Sequence, residues 1–440
     1  VDAGFSGGGG TAPGSDEAWW KRLGDPVLDQ LVDEALAQNL ELGIAEARIE
    51  EARALRRQAR AALFPNLAGR VGYTNVGISE TQDVVVNPGP GLFPAFPDQG
   101  ENWATGFEAS WEVDVFGGNR RRVQGTAARI GAAEEAAHGV RLILVAEVLD
   151  SYYALAGIRE QEARVRSNIA LQRETTDLVG KLHAEGLRSE LDLRRANAQL
   201  ASTEAVAPNL DGAEVAQLRR LCLLLGRKPT YLDGRADSFR GFPRRLPASG
   251  TGLTADLLMR RPDLRQAERS VAAATADIGA ATANFYPRFI LFGSPQLASG
   301  SSGNLFDVAS LAWNAGPRVE WSLFTAGANQ ALLAGANARQ KQALLAFEQA
   351  VLAAVGEVET NLAQVQSESR RLAALERAAR ETRASVGLAK KLYQDGLQDL
   401  LTVLVEEQRL IATELDEVSS RTALTASWIR LHKALGGGWD

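Results

Sequence analysis

The stretch from Trp103 to Gly186 constrains this chain most, because the apolar period changes abruptly inside it. Between Trp103 and Phe116 the odd positions are apolar: Trp103, Thr105 through its methyl, Phe107, Ala109, Trp111, Val113 and Val115. The even positions are small or charged: Ala104, Gly106, Glu108, Ser110, Glu112 and Asp114. A period of two predicts a strand with one face for oil and one for water. After Phe116-Gly117-Gly118 the composition turns to Ala, Leu, Val, Glu and Arg, with no proline before Pro208. At ~1.5 Å per residue, a helix from Asn119 to Glu185 is a rod on the order of 100 Å long. A bilayer-type strand feeding such a rod points to a tube standing on a membrane.

Composition limits the alternatives. The chain has 440 residues, 45% hydrophobic and 23% charged, which is globular composition for two or three domains or one elongated one. Its formal charge of −6 argues against nucleic acid as a partner. No apolar run approaches the ~18 residues of a spanning helix, so any crossing must be made by strands. The single cysteine, Cys222, sits in Leu221-Cys222-Leu223-Leu224-Leu225 and reads as a core residue. Starting at Val1 without a signal peptide, the sequence reads as a mature or trimmed product.

Taken in order, residues 1–24 form an extended lead-in, and a helix capped by Asp25 runs from Pro26 to Ala62. A hairpin over 67–116 follows, its tip rich in Gly and Pro between Asn87 and Pro97. A long helical hairpin occupies 117–226, turning at Gly186 and restarting at Ser189, with Pro208 placed to kink it. A Pro- and Gly-rich linker covers 227–254. Over 255–440 the pattern then begins again: a helix, a hairpin over 289–324 and a long helical hairpin over 325–436. Glu147-Val148, Gly186-Leu187 and Leu225-Gly226 recur as Glu357-Val358, Gly396-Leu397 and Leu435-Gly436 at one constant shift, the mark of a tandem duplication.

Two strands per half give four per chain. Four strands in lipid leave two open edges with unsatisfied amides, whereas closure needs about eight or more. Two copies supply eight strands around a filled lumen; three supply twelve around a passage, which suits the polar even positions better. The lipid-facing set is then Trp103, Phe107, Trp111, Val113, Val319 and Trp321. The lumen-facing set is Glu108, Glu112, Asp114, Arg318 and Glu320.

These residues resemble the outer membrane efflux proteins, the TolC-like exit ducts of Gram-negative bacteria, and among them the lipoprotein branch that serves resistance–nodulation–division pumps. The resemblance is carried by Trp19-Trp20 with Leu23-Gly24-Asp25-Pro26-Val27-Leu28, Arg260-Arg261-Pro262-Asp263-Leu264, Phe285-Tyr286-Pro287-Arg288-Phe289, Asp114-Val115-Phe116-Gly117 and Lys433 to Trp439. It implies a mixed α and β membrane protein: a homotrimer with a twelve-stranded transmembrane β-barrel continuous with a periplasmic α-helical barrel. It also implies a passive exit duct in the outer membrane, docked on a periplasmic adaptor and an inner-membrane pump. The family's helix-tip turns match Gly186-Leu187 and Gly396-Leu397, with Glu185 and Asp395 in place of the usual apolar residue before them. The family's aspartate ring at the periplasmic mouth falls on Thr402 and Val405. Two gates stay open: an acidic ring slid to Glu406 and Glu407, or an apolar ring of Leu401, Leu404 and Val405. The branch's lipidated cysteine is not seen, since position 1 is Val.

His138, His183 and His432 lie far apart without metal-ligand spacing, and no phosphate loop or nucleophile elbow occurs. The expectation is a conduit without cofactor or catalysis. Its rivals are the same duct used for polypeptide secretion, as in type I systems, and a soluble coiled-coil scaffold.

Overall fold

The computed structural model describes residues 18–77, 100–235, 238–243, 245–247 and 260–437. The lead-in 1–17, the breaker-rich loop between Asn87 and Pro97, the linker end 248–254 and Trp439 lie outside the described residues. Two compact units are formed, one from 1–47, 135–265 and 349–440, the other from 48–134 and 266–348. Each takes segments from both halves of the tandem repeat.

The second unit contains the sheet. Strands β1 (Asn66–Val76), β2 (Gly100–Val113), β3 (Arg288–Ser299) and β4 (Leu311–Glu320) form an antiparallel meander in the order β1-β2-β3-β4. The pairing of Trp103 with Ser299 and of Val113 with Phe289 joins the two halves of the repeat. Pairing lapses at Phe107 and Glu108, opposite Pro295, which has no N–H to give to the ladder. Next to that lapse Gly106 lies so close to β3 that a Cβ on it would stand 2.5 Å from the Pro295 carbonyl oxygen.

Two boundaries differ from the sequence reading. Strand β2 ends at Val113, because the Asp114 carboxylate turns to accept from the backbone N–H of Asn119 (3.1 Å) and Arg120 (2.8 Å). Asp114 therefore closes the N-terminus of the following helix and is not a lumen position on the strand. Strand β4 ends at Glu320, so Trp321 is not a strand residue; its indole N–H donates to the Phe285 carbonyl at 3.1 Å.

Among the described residues the helices are α1 (Pro26–Gln38), α2 (Leu40–Ala61), α3 (Gly118–Ala184), α4 (Glu190–Glu204), α5 (Ala207–Leu224), α6 (Pro262–Ala283), α7 (Ala328–Gln394) and α8 (Leu400–Ala434). The repeat shows in α3 and α7, which have 67 residues each. The helix expected from Pro26 to Ala62 is broken at Asn39, which adopts an extended ψ of 131°. The Asn39 side chain explains the break. Its Oδ1 accepts from the N–H of Glu41 and Leu42, starting α2, while its Nδ2 donates to the Leu224 carbonyl. Pro208 likewise separates α4 from α5, whereas α8, which has no proline, runs unbroken for 35 residues.

The first unit is centred on aromatic rings. Trp19 and Trp20, each 3% exposed, sit on a 3-10 helix (Trp19–Leu23) where an extended segment was expected. Trp19 stacks on His432 at 5.0 Å, and Trp428 donates its N–H to Pro247 O. Asp25 caps α1 as expected, and its second oxygen accepts from the Tyr152 hydroxyl at 2.6 Å. Burial pushes the His432 imidazole down to about 4 from 6.5, so folding favours the neutral ring. Its contribution to stability is complete above pH 6.5, falls as the pH drops through 6.5 and is gone near 4. The loss amounts to about 3 kcal/mol. The expected result is that wild type loses this stability relative to His432→Leu between pH 6.5 and 4 in chemical denaturation; parallel curves would contradict it.

Candidate channel wall and helix tips

The register sorts the sheet into two faces. Leu67, Val71 and Tyr73 of β1 stand on the same face as Trp103, Thr105, Phe107, Ala109, Trp111 and Val113 of β2. Phe289, Leu291, Pro295 and Leu297 of β3 continue that face, with Leu311, Trp313, Pro317 and Val319 of β4. It is apolar from edge to edge, and Val71, Trp313 and Val319 are 86%, 72% and 57% exposed in the single chain. Of the expected lipid-facing residues, Trp103, Phe107, Trp111, Val113 and Val319 lie on it.

The opposite face carries Arg70, Glu108, Glu112, Arg318 and Glu320. Arg70 meets Glu108 at 2.5 Å, Arg288 meets Glu112 at 2.8 Å, and Arg318 lies 3.8 Å from Glu320. Such half-exposed pairs add little stability, about 0–1 kcal/mol each. Their effect is to hold charge of both signs on one polar surface. Arg318 also covers the Phe292 ring at 4.9 Å, masking a large apolar residue on this face.

Aromatic residues close the apolar face at both ends. Tyr73 packs on Trp103 at 4.5 Å at one end. At the other, Phe116 stacks on Tyr286 at 4.6 Å, and the indoles of Trp111 and Trp321 donate to the carbonyls of Leu63 and Phe285. Eight residues separate Trp103 from Trp111, about 27 Å along a strand. The Trp clamps were missed by sequence reasoning, although each repeat offers a Trp and a helix-ending Phe-Pro or Tyr-Pro turn.

In the first unit, α3, α4, α7 and α8 meet at two equivalent turns. Gly186 has φ 72° and Gly396 has φ 73°, and both helices close with the same bonds. Leu187 N donates to Leu182 O and Leu397 N to Leu392 O, each at 2.8 Å. This is a Schellman ending, for which glycine avoids the left-handed strain of a side chain. Ser189 and Asp399 then cap α4 and α8. Hydrogen bonds from the Thr402 hydroxyl and N–H hold the Asp399 carboxyl below its usual range. The turns leave Leu187 and Leu397 65% and 71% exposed.

The expected gate residues separate by helix face. Leu401 and Val405 are about half exposed; Thr402 is engaged by Asp399, and Glu406 pairs with Arg409 at 3.3 Å. Leu404 and Glu407 are corrected: both are buried within the chain. The cause is the seam of α8, which repeats every seven residues through Leu400, Glu407, Glu414, Arg421 and Trp428. It meets Asn168, Thr175 and Val179 of α3 and Ala389 and Tyr393 of α7. These are members of two buried rows spaced three and four apart, Val165, Asn168, Gln172, Thr175 and Val179 on α3 and Ala379, Thr382, Val386, Ala389 and Tyr393 on α7. Glu407 accepts from Thr175 Oγ1 at 2.6 Å and meets Lys390 Nζ at 3.1 Å. Burial raises its pKa, while Thr175 and Lys390 oppose the rise.

Comparison with known proteins places this geometry. The family model for outer membrane efflux proteins matches residues 31–227 and 253–437. The pyoverdine export outer membrane protein OpmQ of Pseudomonas aeruginosa is 30% identical over 96% of this chain and 87% of its own length. The cation efflux system protein CusC of Escherichia coli O157:H7 is 31% identical over 96% and 88%. The solved outer-membrane channel OprN superposes with a TM-score of 0.89 at 32% identity, covering 100% of this chain and 97% of that one. The continuous apolar face, the polar face behind it and the paired helix tips are thus those of a known channel architecture, and the chain belongs to the outer membrane efflux protein family.

Proposed function

We propose that three copies of this chain close one twelve-stranded barrel in the outer membrane and serve a periplasmic adaptor and an inner-membrane pump of the resistance–nodulation–division type. The observation that carries this reading is the open four-stranded meander with an unbroken apolar face. Among the described residues, strands β1 and β4 each pair on one side only, and their other edges need partners in lipid. Twelve strands leave a watery lumen, where the paired charges of Glu108, Glu112, Arg318 and Glu320 are solvated. The aromatic ends of the opposite face are about 27 Å apart along the strand. A barrel tilt of about 35–45° turns this into about 20 Å of height, within a transmembrane barrel's apolar band of about 25 Å.

Leu187 and Leu397 supply the docking surface, since exposed apolar side chains on two turns suit an apolar surface of the adaptor. With Leu404 and Glu407 turned into the chain, Leu401 and Val405 are left to narrow the mouth, with Glu406 and Thr402 at their flanks. Solute then diffuses down the lumen once the tips part.

Mass measurement in detergent together with planar-bilayer conductance tests this reading. A trimeric particle with discrete single-channel currents is expected; a monomer without currents would sink it. Within the same reading, Gly186→Val with Gly396→Val forces two left-handed positions on β-branched residues, at about 1–2 kcal/mol each. Export from cells is expected to fall while the trimer persists, and undiminished export would remove the docking role.

A further inference from the structure

Of the five arginines on helix α2, four (Arg53, Arg56, Arg57 and Arg60) fall within an arc of about 100° at 100° per residue. With Ile130 and Glu134 of α3 they line an open cleft of about 410 Å³. Glu134 is its only carboxylate and is held by Arg53 at 3.0 Å. The lining therefore has four positive groups and one negative, a surplus of three. Arg56, Arg57 and Arg60 are exposed and have no ion pair among the described residues. The helix dipole favours a cation at the last turn, which accounts for Arg60 alone; like charges one turn apart otherwise repel. The arrangement calls for an anion.

Three observations say which anion. The cleft lies beside the membrane, because α2 ends at Ala61 and the apolar face begins at Leu67. The headgroup layers add about 10–15 Å in total to a ~30 Å hydrocarbon core, or about 5–8 Å on each side. Arg60 in the last turn of α2 is nearest this layer, and Arg56 and Arg57, about 5–6 Å further along the helix, reach towards it by extending their side chains. On α3, the residue that lines the cleft is also turned from the helix face that joins the polar side of the sheet. Arg122 is tied through Asn119 to Glu112 on that side, and Glu134 lies twelve residues further on, about 120° round α3. Finally, the start of α7, which follows the opposite sheet edge, offers no neutralising charge from a second copy: from Ala328 to Phe347 it contains Arg339 and Lys341 but no carboxylate.

We propose that this cleft binds the phosphate headgroup of an anionic phospholipid in the periplasmic leaflet of the outer membrane. The inference rests on the outer-membrane barrel reading, and it adds a lipid site where that reading has only a wall. Three cations at a membrane surface give a preference on the order of 100-fold for anionic over zwitterionic lipid. Phosphate oxygens between arginine forks supply charge-assisted hydrogen bonds that hold the headgroup in place.

The test uses the full chain, reconstituted in vesicles of phosphatidylcholine with a minor fraction of phosphatidylglycerol, then extracted and its retained lipid identified by native mass spectrometry. Wild type is expected to retain phosphatidylglycerol, and Arg56→Gln/Arg57→Gln/Arg60→Gln to lose at least about tenfold of that enrichment. Single-channel conductance of the triple variant is expected to match wild type, which separates failure of the lipid site from failure of the barrel. Retention unchanged by the substitutions overturns the proposal. So does complete displacement of the lipid by millimolar inorganic phosphate, which would mark a site for free phosphate.

Discussion

Gly106→Val is expected to prevent assembly of the sheet, leaving little or no oligomer in detergent and no channel activity. The reason is steric and involves backbone on both sides. A Cβ on Gly106 would stand 2.5 Å from Pro295 O and 2.6 Å from Gln296 Cα, and neither atom belongs to a side chain that can rotate away. Relief requires moving β2 away from β3, at the junction between the two halves of the repeat. The cost is expected to exceed about 3 kcal/mol, the upper range for overpacking a rigid site. Gly69→Ala is the matched control, since its Cβ would make an ordinary 3.9 Å contact with the Phe107 ring. Oligomer yield by mass and conductance per microgram reads both variants; equal yields would show that β2 and β3 are further apart than described.

Lys390→Met is expected to loosen the helix tips severely, and Lys390→Met/Glu407→Leu to restore most of the loss. Glu407 is fully buried, and Lys390 is its cationic partner, also donating to Leu171 O at 2.8 Å. Removing the ammonium alone strands a buried carboxylate, a cost of about 3–5 kcal/mol. Removing both charges exchanges the pair for apolar packing in the seam, which is often neutral. Hydrogen exchange of α7 and α8 near the tip, followed by closed-state leak current, measures this. A double variant as damaged as the single one would show that Lys390 acts through its bond to Leu171 and not through the charge of Glu407.

Much of the wall was legible in the sequence because side chains along a strand alternate between its two faces. Trp103 to Val113 fixes its own two faces, and only the register with β1, β3 and β4 was needed to extend them. The exceptions lie at the ends. Asp114 fits the alternation yet leaves the strand, because the unsatisfied N–H groups of α3 compete for its carboxylate. Trp321 is displaced in the same way by the carbonyl of Phe285. Ends are decided by what stands across from them.

The tips divide along the same line. Gly186 and Gly396 announce their turns locally, since a helix end in the left-handed region selects glycine. Glu406 and Glu407 are adjacent and chemically alike, and nothing in their spacing says which is buried. The tertiary structure decides it: the seven-residue seam of α8 places Glu407 against Thr175 and Lys390, and turns Glu406 away from them towards Arg409. The sequence by itself determined the repeat, the amphipathic strands, the long helices and their turning glycines, because each depends on neighbours within a few residues. Only the tertiary structure decided which charges are buried and where a Cβ does not fit, because the first needs Thr175 brought to Glu407 and the second Pro295 brought to Gly106, from far along the chain.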